Sequence, residues 1–352
     1  MSTQKSDLDT LWFTRCAGGG QGGVPIASGI AYKLGYLQEE FAKDGFALKT
    51  IQEDGGPELR RHHYDHELPS LIREGGNLYA IPAKAQGAKT KLIGLTWIDE
   101  AQSILVRPGS DIRSPEQLVG KRLALPVYRQ SDIESNRRGQ SISRLQSLAG
   151  YKGALASVNR TLDDVKLIEV GNPVEAEKGG SFWQSYEALK KGEVDALFTK
   201  GAPGQDAARK FGFEVGIDLD RLPSKRFRVN NGTPRPVTVH TDFLENHYDV
   251  LVRFLKQTLR AADWAKTNLK GVQEILQQET GSSAAAVAAA YRNDFNLTLA
   301  PDLSDERVEL FRQQKTFLLQ YGVLDRDFDY DAWIDRRPLE DARRELDGVR
   351  AA

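Results

Sequence analysis

The single cysteine of this chain, Cys16, stands where an apolar run meets a run of glycines, a place at which a thiol has chemistry open to it. The order Leu11-Trp12-Phe13-Thr14-Arg15-Cys16, then Ala17-Gly18-Gly19-Gly20-Gln21-Gly22-Gly23, then Pro25-Ile26-Ala27-Ser28-Gly29-Ile30 reads as a strand, a glycine turn and a helix with proline in its first turn. Cys16 is therefore expected at the carboxyl edge of an α/β sheet, where such folds bind ligands. The free N–H groups of the helix start that follows favour a thiolate or a bound anion. One cysteine excludes an intrachain disulfide, and a lone cysteine is more often a small buried core residue than a nucleophile.

The glycine loop admits three readings. Gly18, Gly20 and Gly23 satisfy G-x-G-x-x-G, with Glu53 or Asp54 at the end of a second strand, so a dinucleotide fingerprint is formally present. Successive N–H groups around Gly18 and Gly19 can instead form a nest for a small oxyanion such as a sulfonate, sulfinate or carboxylate. A tight turn without a ligand uses glycine equally well. No G-x-x-x-x-G-K-[ST] phosphate loop and no G-x-S-x-G elbow occur.

Further along, His63 and Arg73 carry complementary chemistry. Imidazole titrates near neutrality and can give or take a proton, and a guanidinium fork grips two oxygens of one anion. His62, His63 and His66 are each, taken alone, loop histidines. The spacing His62-His63-x-x-His66 lacks the glutamate of H-E-x-x-H, and one cysteine cannot build a thiolate zinc site, so no metal is expected.

The chain that must position these residues has 352 residues, enough for two domains. Its 40% hydrophobic and 28% charged content are those of a globular protein, and a net charge of -1 gives no global field to gather nucleic acid or anionic lipid. No apolar run approaches membrane-spanning length, and residues 1–10 lack the charged and apolar regions of a secretory leader, so a cytoplasmic protein is expected if Met1 is the native start.

Strands are predicted over 46–51, 91–97, 102–106, 120–126, 165–170, 194–198, 214–217 and 236–240. Short helices are predicted over 68–73, 141–148, 186–191 and 205–211. Gly75-Gly76 reads as the cap of the 68–73 helix. From about Asp242 the chain turns helical, with Leu251, Phe254, Leu255 and Leu259 at helical spacing. Alternating strands and helices imply largely parallel sheets. With a crossover near Val106 and a return near Val237, the expected fold is α/β, of the type II periplasmic-binding-protein kind: residues 1–107 and 236–352 form a discontinuous first lobe, 108–235 the second, and a ligand lies in the cleft between them.

Cys16 at the end of the first strand, His63 and the run Arg73-Glu74-Gly75-Gly76 together resemble the pattern of the 2'-hydroxybiphenyl-2-sulfinate desulfinase family. Tyr64-Asp65, the run Thr90 to Thr96, Leu118 to Arg122, Gly192 to Leu197 and the region from Gln314 to Trp333 extend the similarity, part of which is shared with sulfonate-binding proteins generally. The resemblance implies a periplasmic-binding-protein fold and an enzyme that cleaves an aryl carbon–sulfur bond to release sulfite without a cofactor. It further implies catalytic roles for Cys16, His63 and Arg73, with Arg73 and N–H groups near Gly75 and Gly76 holding the sulfinate oxygens. His63 would tune the thiol of Cys16, which either attacks sulfur or protonates the leaving carbon. Trp12, Phe13, Trp97 or Trp183 would contact the aryl group, although each is more often a core residue. The partner is then a small anionic organosulfur substrate, with no nucleic acid and no membrane insertion, and the enzyme is expected to be a monomer. The alternative is a sulfonate- or taurine-type solute-binding protein without a leader, using the same basic groups and no chemistry.

Overall fold

The computed structural model describes residues 9–14, 26–176, 181–292 and 294–351. Cys16 and the glycine loop with Gly18 and Gly19 lie outside these residues, and so do the nest and dinucleotide readings that depend on them.

Among the described residues, ten strands form two five-stranded sheets. The first contains β1 (Thr10–Thr14), β2 (Ala47–Thr50), β3 (Leu71–Glu74), β4 (Thr90–Thr96) and β10 (Arg235–His240), in the order β2-β1-β3-β10-β4. The second contains β5 (Gln102–Val106), β6 (Arg122–Pro126), β7 (Lys166–Val170), β8 (Ala196–Lys200) and β9 (Glu214–Asp218), in the order β7-β6-β8-β5-β9. Each sheet has a parallel trio, β2-β1-β3 and β7-β6-β8. Each also carries one strand antiparallel to both its neighbours: β10 runs against β3 and β4, and β5 against β8 and β9. The sheets are thus mixed rather than largely parallel, because the two strands that bring the chain into or back to a sheet enter it in reverse.

Two expectations need correction. Residues 68–73 do not make a helix: Leu71–Glu74 is the central strand β3, fully buried and paired on both edges. A four-residue run with apolar neighbours fits either element, and here flanking strands supply the partners that a helix of this length lacks. The second concerns β5, read on the first-lobe side of a crossover near Val106. It pairs within the second sheet, so the chain has already crossed before Gln102.

The strand predicted at 236–240 does return to the first sheet, as β10. The helix Tyr248–Thr267 then lies over that sheet, burying Leu251, Phe254, Leu255 and Leu259 at the spacing of one helical face, and Phe254 meets Phe13 of β1 edge-on at 5.2 Å between ring centres. A connected apolar core runs from Leu11 and Phe13 through Leu95 and Ile98 to Ile104, Leu123 and Phe198, joining the halves. Helix prediction fell short at Ile142–Ala156, which continues well past 148, and missed Asn77–Ala85, whose internal Pro82 hides the pattern.

Candidate active site at the edge of the first sheet

Register brings the chemistry together. Thr14 at the end of β1 pairs with Arg73 of β3, which pairs in turn with Thr238 of β10, so the three form one row across the sheet. All three are fully buried. His63 comes from a different element, the short helical turn His62–Asp65, which delivers its ring against the same row. Its Nδ1 lies 2.9 Å from Thr14 Oγ1 and its Nε2 3.4 Å from Arg73 Nη2. Because guanidinium only donates, we assign the neutral tautomer with Nδ1–H toward Thr14 and the Nε2 lone pair toward Arg73. Gln52 Nε2 also donates to Thr14 Oγ1, at 2.6 Å.

Arg73 is fixed by backbone acceptors. Its Nε donates to the His63 carbonyl oxygen at 2.7 Å and its Nη2 to the Gly76 carbonyl oxygen at 2.9 Å. Imidazole and guanidinium are therefore held as one unit. Burial, and after it the Arg73 charge, holds His63 well below its ordinary value near 6.5, and the same two causes act on His66. A neutral His63 is a hydrogen-bond acceptor and a base, not a cation.

The two glycines are required by space. A Cβ on Gly75 would come within 2.5 Å of His63 Cε1, and one on Gly76 within 2.1 Å of Asn231 Oδ1. They follow strand β3 rather than capping a helix over 68–73, and Gly76 is the N-cap of the helix Asn77–Ala85. The Gly75 N–H donates to the Pro236 carbonyl oxygen at 3.3 Å, so it is already engaged within the sheet. Gly76, at the positive end of a nine-residue helix, keeps the electrostatics an anion prefers.

Glu74, pointing to the opposite face from Arg73 by strand alternation, accepts from Thr96 Oγ1 at 2.9 Å through one oxygen. The other, Oε2, has no hydrogen-bond partner among the described residues. Burial pushes this carboxyl up to about 7 against the opposing charge of Arg235. The site also rests on the turn Asn230–Thr233. Asn77 Nδ2 donates to the carbonyl oxygens of Asn230 (2.7 Å) and Pro234 (2.9 Å), and Lys200, paired with Glu100, donates to the Asn231 carbonyl oxygen.

His63, Arg73, Gly75 and Gly76 thus meet at one place. Thr14, Gln52 and Asn231 were not singled out, and only Thr14 carried a signal, at the strand end two residues before Cys16. Of the aromatic residues expected near a substrate, Phe13 and Trp97 are buried core, while Trp183 is 48% exposed and packs on Phe211. The one grouping of possible metal ligands among the described residues, His62, Asp65 and Glu67, is internally paired: His62 Nδ1 is 2.8 Å from Asp65, and Arg61 lies 3.7 Å from each carboxylate.

Two α/β halves whose sheets each carry a reversed strand make the periplasmic-binding-protein-like fold, and solved structures with this fold match nearly the whole chain. A periplasmic sulfonate-binding protein, SsuA from Methylobacillus flagellatus KT, covers 97% of this chain and 96% of its own with a TM-score of 0.71 and 15% identity. A cysteine-to-serine mutant of the desulfurization enzyme DszB, in complex with biphenyl-2-sulfinic acid, covers 96% of this chain and 100% of its own with a TM-score of 0.74 and 20% identity. In sequence, the chain is similar to the 2'-hydroxybiphenyl-2-sulfinate desulfinase of Rhodococcus erythropolis, 23% identical over 353 residues that span 92% of this chain and 91% of the relative. No protein-family model matches the chain. Among the described residues, no helix is long and apolar enough to cross a membrane.

Proposed function

We propose that this protein is a desulfinase that cleaves the carbon–sulfur bond of an organic sulfinate, an aryl sulfinate in the first instance, with Cys16, His63 and Arg73 as its catalytic residues. The observation that carries this reading is the fixed pair of a buried neutral His63 and Arg73, in contact with a strand that ends two residues before the only cysteine. In sequence, Cys16 follows by two positions the Thr14 whose hydroxyl His63 contacts. Similarity to the desulfinases over most of the chain supports the same reading.

The chemistry is balanced by water alone. The carbon–sulfur bond breaks with its electron pair going to carbon, carbon gains a proton, and sulfur gains hydroxide, giving the arene and hydrogensulfite with no external oxidant, reductant or cofactor. An electron-rich aryl carbon takes the proton most readily. Arg73 balances the sulfinate charge, with Gly18, Gly19 and Gly76 as backbone donors beside it. His63 tunes the thiol of Cys16 from beside Thr14, and the positive charge of Arg73 held against it favours the thiolate. Cys16 then either attacks sulfur or supplies the proton that reaches carbon.

Sulfite release from benzenesulfinate and biphenyl-2-sulfinate tests the proposal. Turnover by the wild type supports it. Saturable binding of sulfonates with no sulfite from any sulfinate would instead favour a solute-binding protein, the reading to which the likeness to SsuA points.

A further inference from the structure

Tyr64 and Tyr79, whose rings pack edge-on against His63 at 5.3 and 5.6 Å, also wall a separate pocket that neither His63 nor Arg73 lines. Its volume is about 570 Å³, enough for a ligand of two fused rings. The tyrosine rings meet each other edge-to-face at 4.4 Å, and Leu78, Pro82, Ala83 and Val323 add apolar lining.

The polar lining is unevenly matched. Lys89, Arg137 and Arg138 line the pocket and have no side-chain ion pair or hydrogen bond among the described residues. Against these three cations the lining holds two acids, Asp65 and Glu67, both within 4 Å of Arg61, which also faces Glu58, and Asp65 lies 2.8 Å from His62 Nδ1. Excess positive charge therefore faces a cavity with an aromatic and aliphatic wall. The pocket is also a seam between the halves. Gly139 is pressed so close to the helix Asn77–Ala85 that a Cβ would come within 2.5 Å of the Leu78 carbonyl oxygen, and Gln86 Nε2 donates to the Asn136 carbonyl oxygen at 3.1 Å.

We propose that this pocket is a second ligand site, separate from the cysteine site, for an amphipathic aromatic anion whose ring lies against Tyr64 and Tyr79 and whose acidic group is held by the unpaired cations. Aromatic faces supply the apolar contact and arginine forks the recognition of a sulfonate or carboxylate. The assignment rests on the pocket and stands whether or not the cysteine site turns over sulfinates.

Naphthalene-2-sulfonate, followed by its fluorescence in titrations of the full chain, is the probe. Three variants divide the possibilities: Arg137→Ala with Arg138→Ala, Lys89→Gln, and Arg73→Lys at the other site. The expected result is saturable binding that Arg73→Lys leaves intact, that the arginine pair weakens at least tenfold and that Lys89→Gln weakens severalfold. If the double variant does not fold by circular dichroism, Lys89→Gln decides. Binding lost in Arg73→Lys and unchanged by the pocket variants places the probe in the cleft and overturns the assignment, as does the absence of saturable binding by the wild type. Sulfite release by the pocket variants within twofold of wild type separates failure of this site from failure of the desulfinase reading.

Discussion

Arg73 is held by donations to two backbone carbonyl oxygens and faces the lone pair of His63, a geometry that needs a planar fork with several donors. Lysine keeps the charge and loses the fork. With charged hydrogen bonds worth about 1.5–3 kcal/mol each, Arg73→Lys should lower kcat/KM for an aryl sulfinate by roughly 100-fold, measured as sulfite release, with little change in circular dichroism. Activity within a few-fold of wild type would remove Arg73 from the site. Gly75→Ala acts on the neighbouring side chain instead. Its Cβ would overlap His63 Cε1, so the imidazole must shift, at a cost of about 1–3 kcal/mol in stability, and turnover should fall together with the melting temperature. These residues were readable as types at a spacing. That Gly75 spares room for an imidazole and not for a substrate was not, because the clash involves a histidine twelve positions away whose approach is set by the fold.

At the scale of elements, β3 carries most of the site, with Arg73 on one face and Glu74 on the other, both out of water. Glu74 binds its proton more tightly in the folded state, up to about 7 against an ordinary 4.5, so between those values the folded chain holds a proton that the unfolded chain has released. Folding stability from this group therefore declines as pH rises through that window. His63 and His66 act in the opposite sense: below about 6.5 the unfolded chain takes up protons that the buried rings refuse, and stability declines as pH falls. Glu74→Gln isolates the first effect. Denaturant unfolding should find it near wild type at pH 4.5 and more stable by on the order of 3 kcal/mol above pH 7, with the gap opening between them. A constant gap across pH would contradict a buried neutral carboxyl. β3 is also where the sequence misleads. Leu71-Ile72-Arg73-Glu74 has too few residues to display a period of 2 or of 3.6, and what decides is the pairing of β1 and β10 on its two edges, information held 59 and 165 residues away in the pairs Thr14 and Thr238 make with Arg73. The longer strands β4, β5 and β6 declared themselves through apolar runs bounded by turn residues.

Over the whole molecule, the alternation of strands and helices made the α/β class legible, and the apolar strand at 236–240 announced the return to the first sheet. The reversed strands and the crossing before Gln102 were hidden, since strand direction leaves no mark on composition. Nor does a sequence show which side chains hold the two halves together. Asn77 does so with both ends of its amide: it donates to the Asn230 and Pro234 carbonyl oxygens and accepts from Gln314 Nε2 at 3.0 Å. Asn77→Leu removes the donor to the buried Pro234 carbonyl oxygen and the acceptor of the Gln314 amide, at roughly 1–3 kcal/mol each, while the Asn230 carbonyl oxygen keeps the Thr233 N–H, so thermal unfolding should begin several degrees lower and Arg73, bonded to the neighbouring Gly76, should lose its fixed position. An unchanged melting curve would show that the turn Asn230–Thr233 holds without it. The central claim, however, turns on one side chain. Sulfite release from biphenyl-2-sulfinate should be measured for the wild type and for Cys16→Ser side by side. The account predicts release by the wild type and its loss in the variant with substrate binding retained, whereas equal release by both proteins, or none by either, would contradict it.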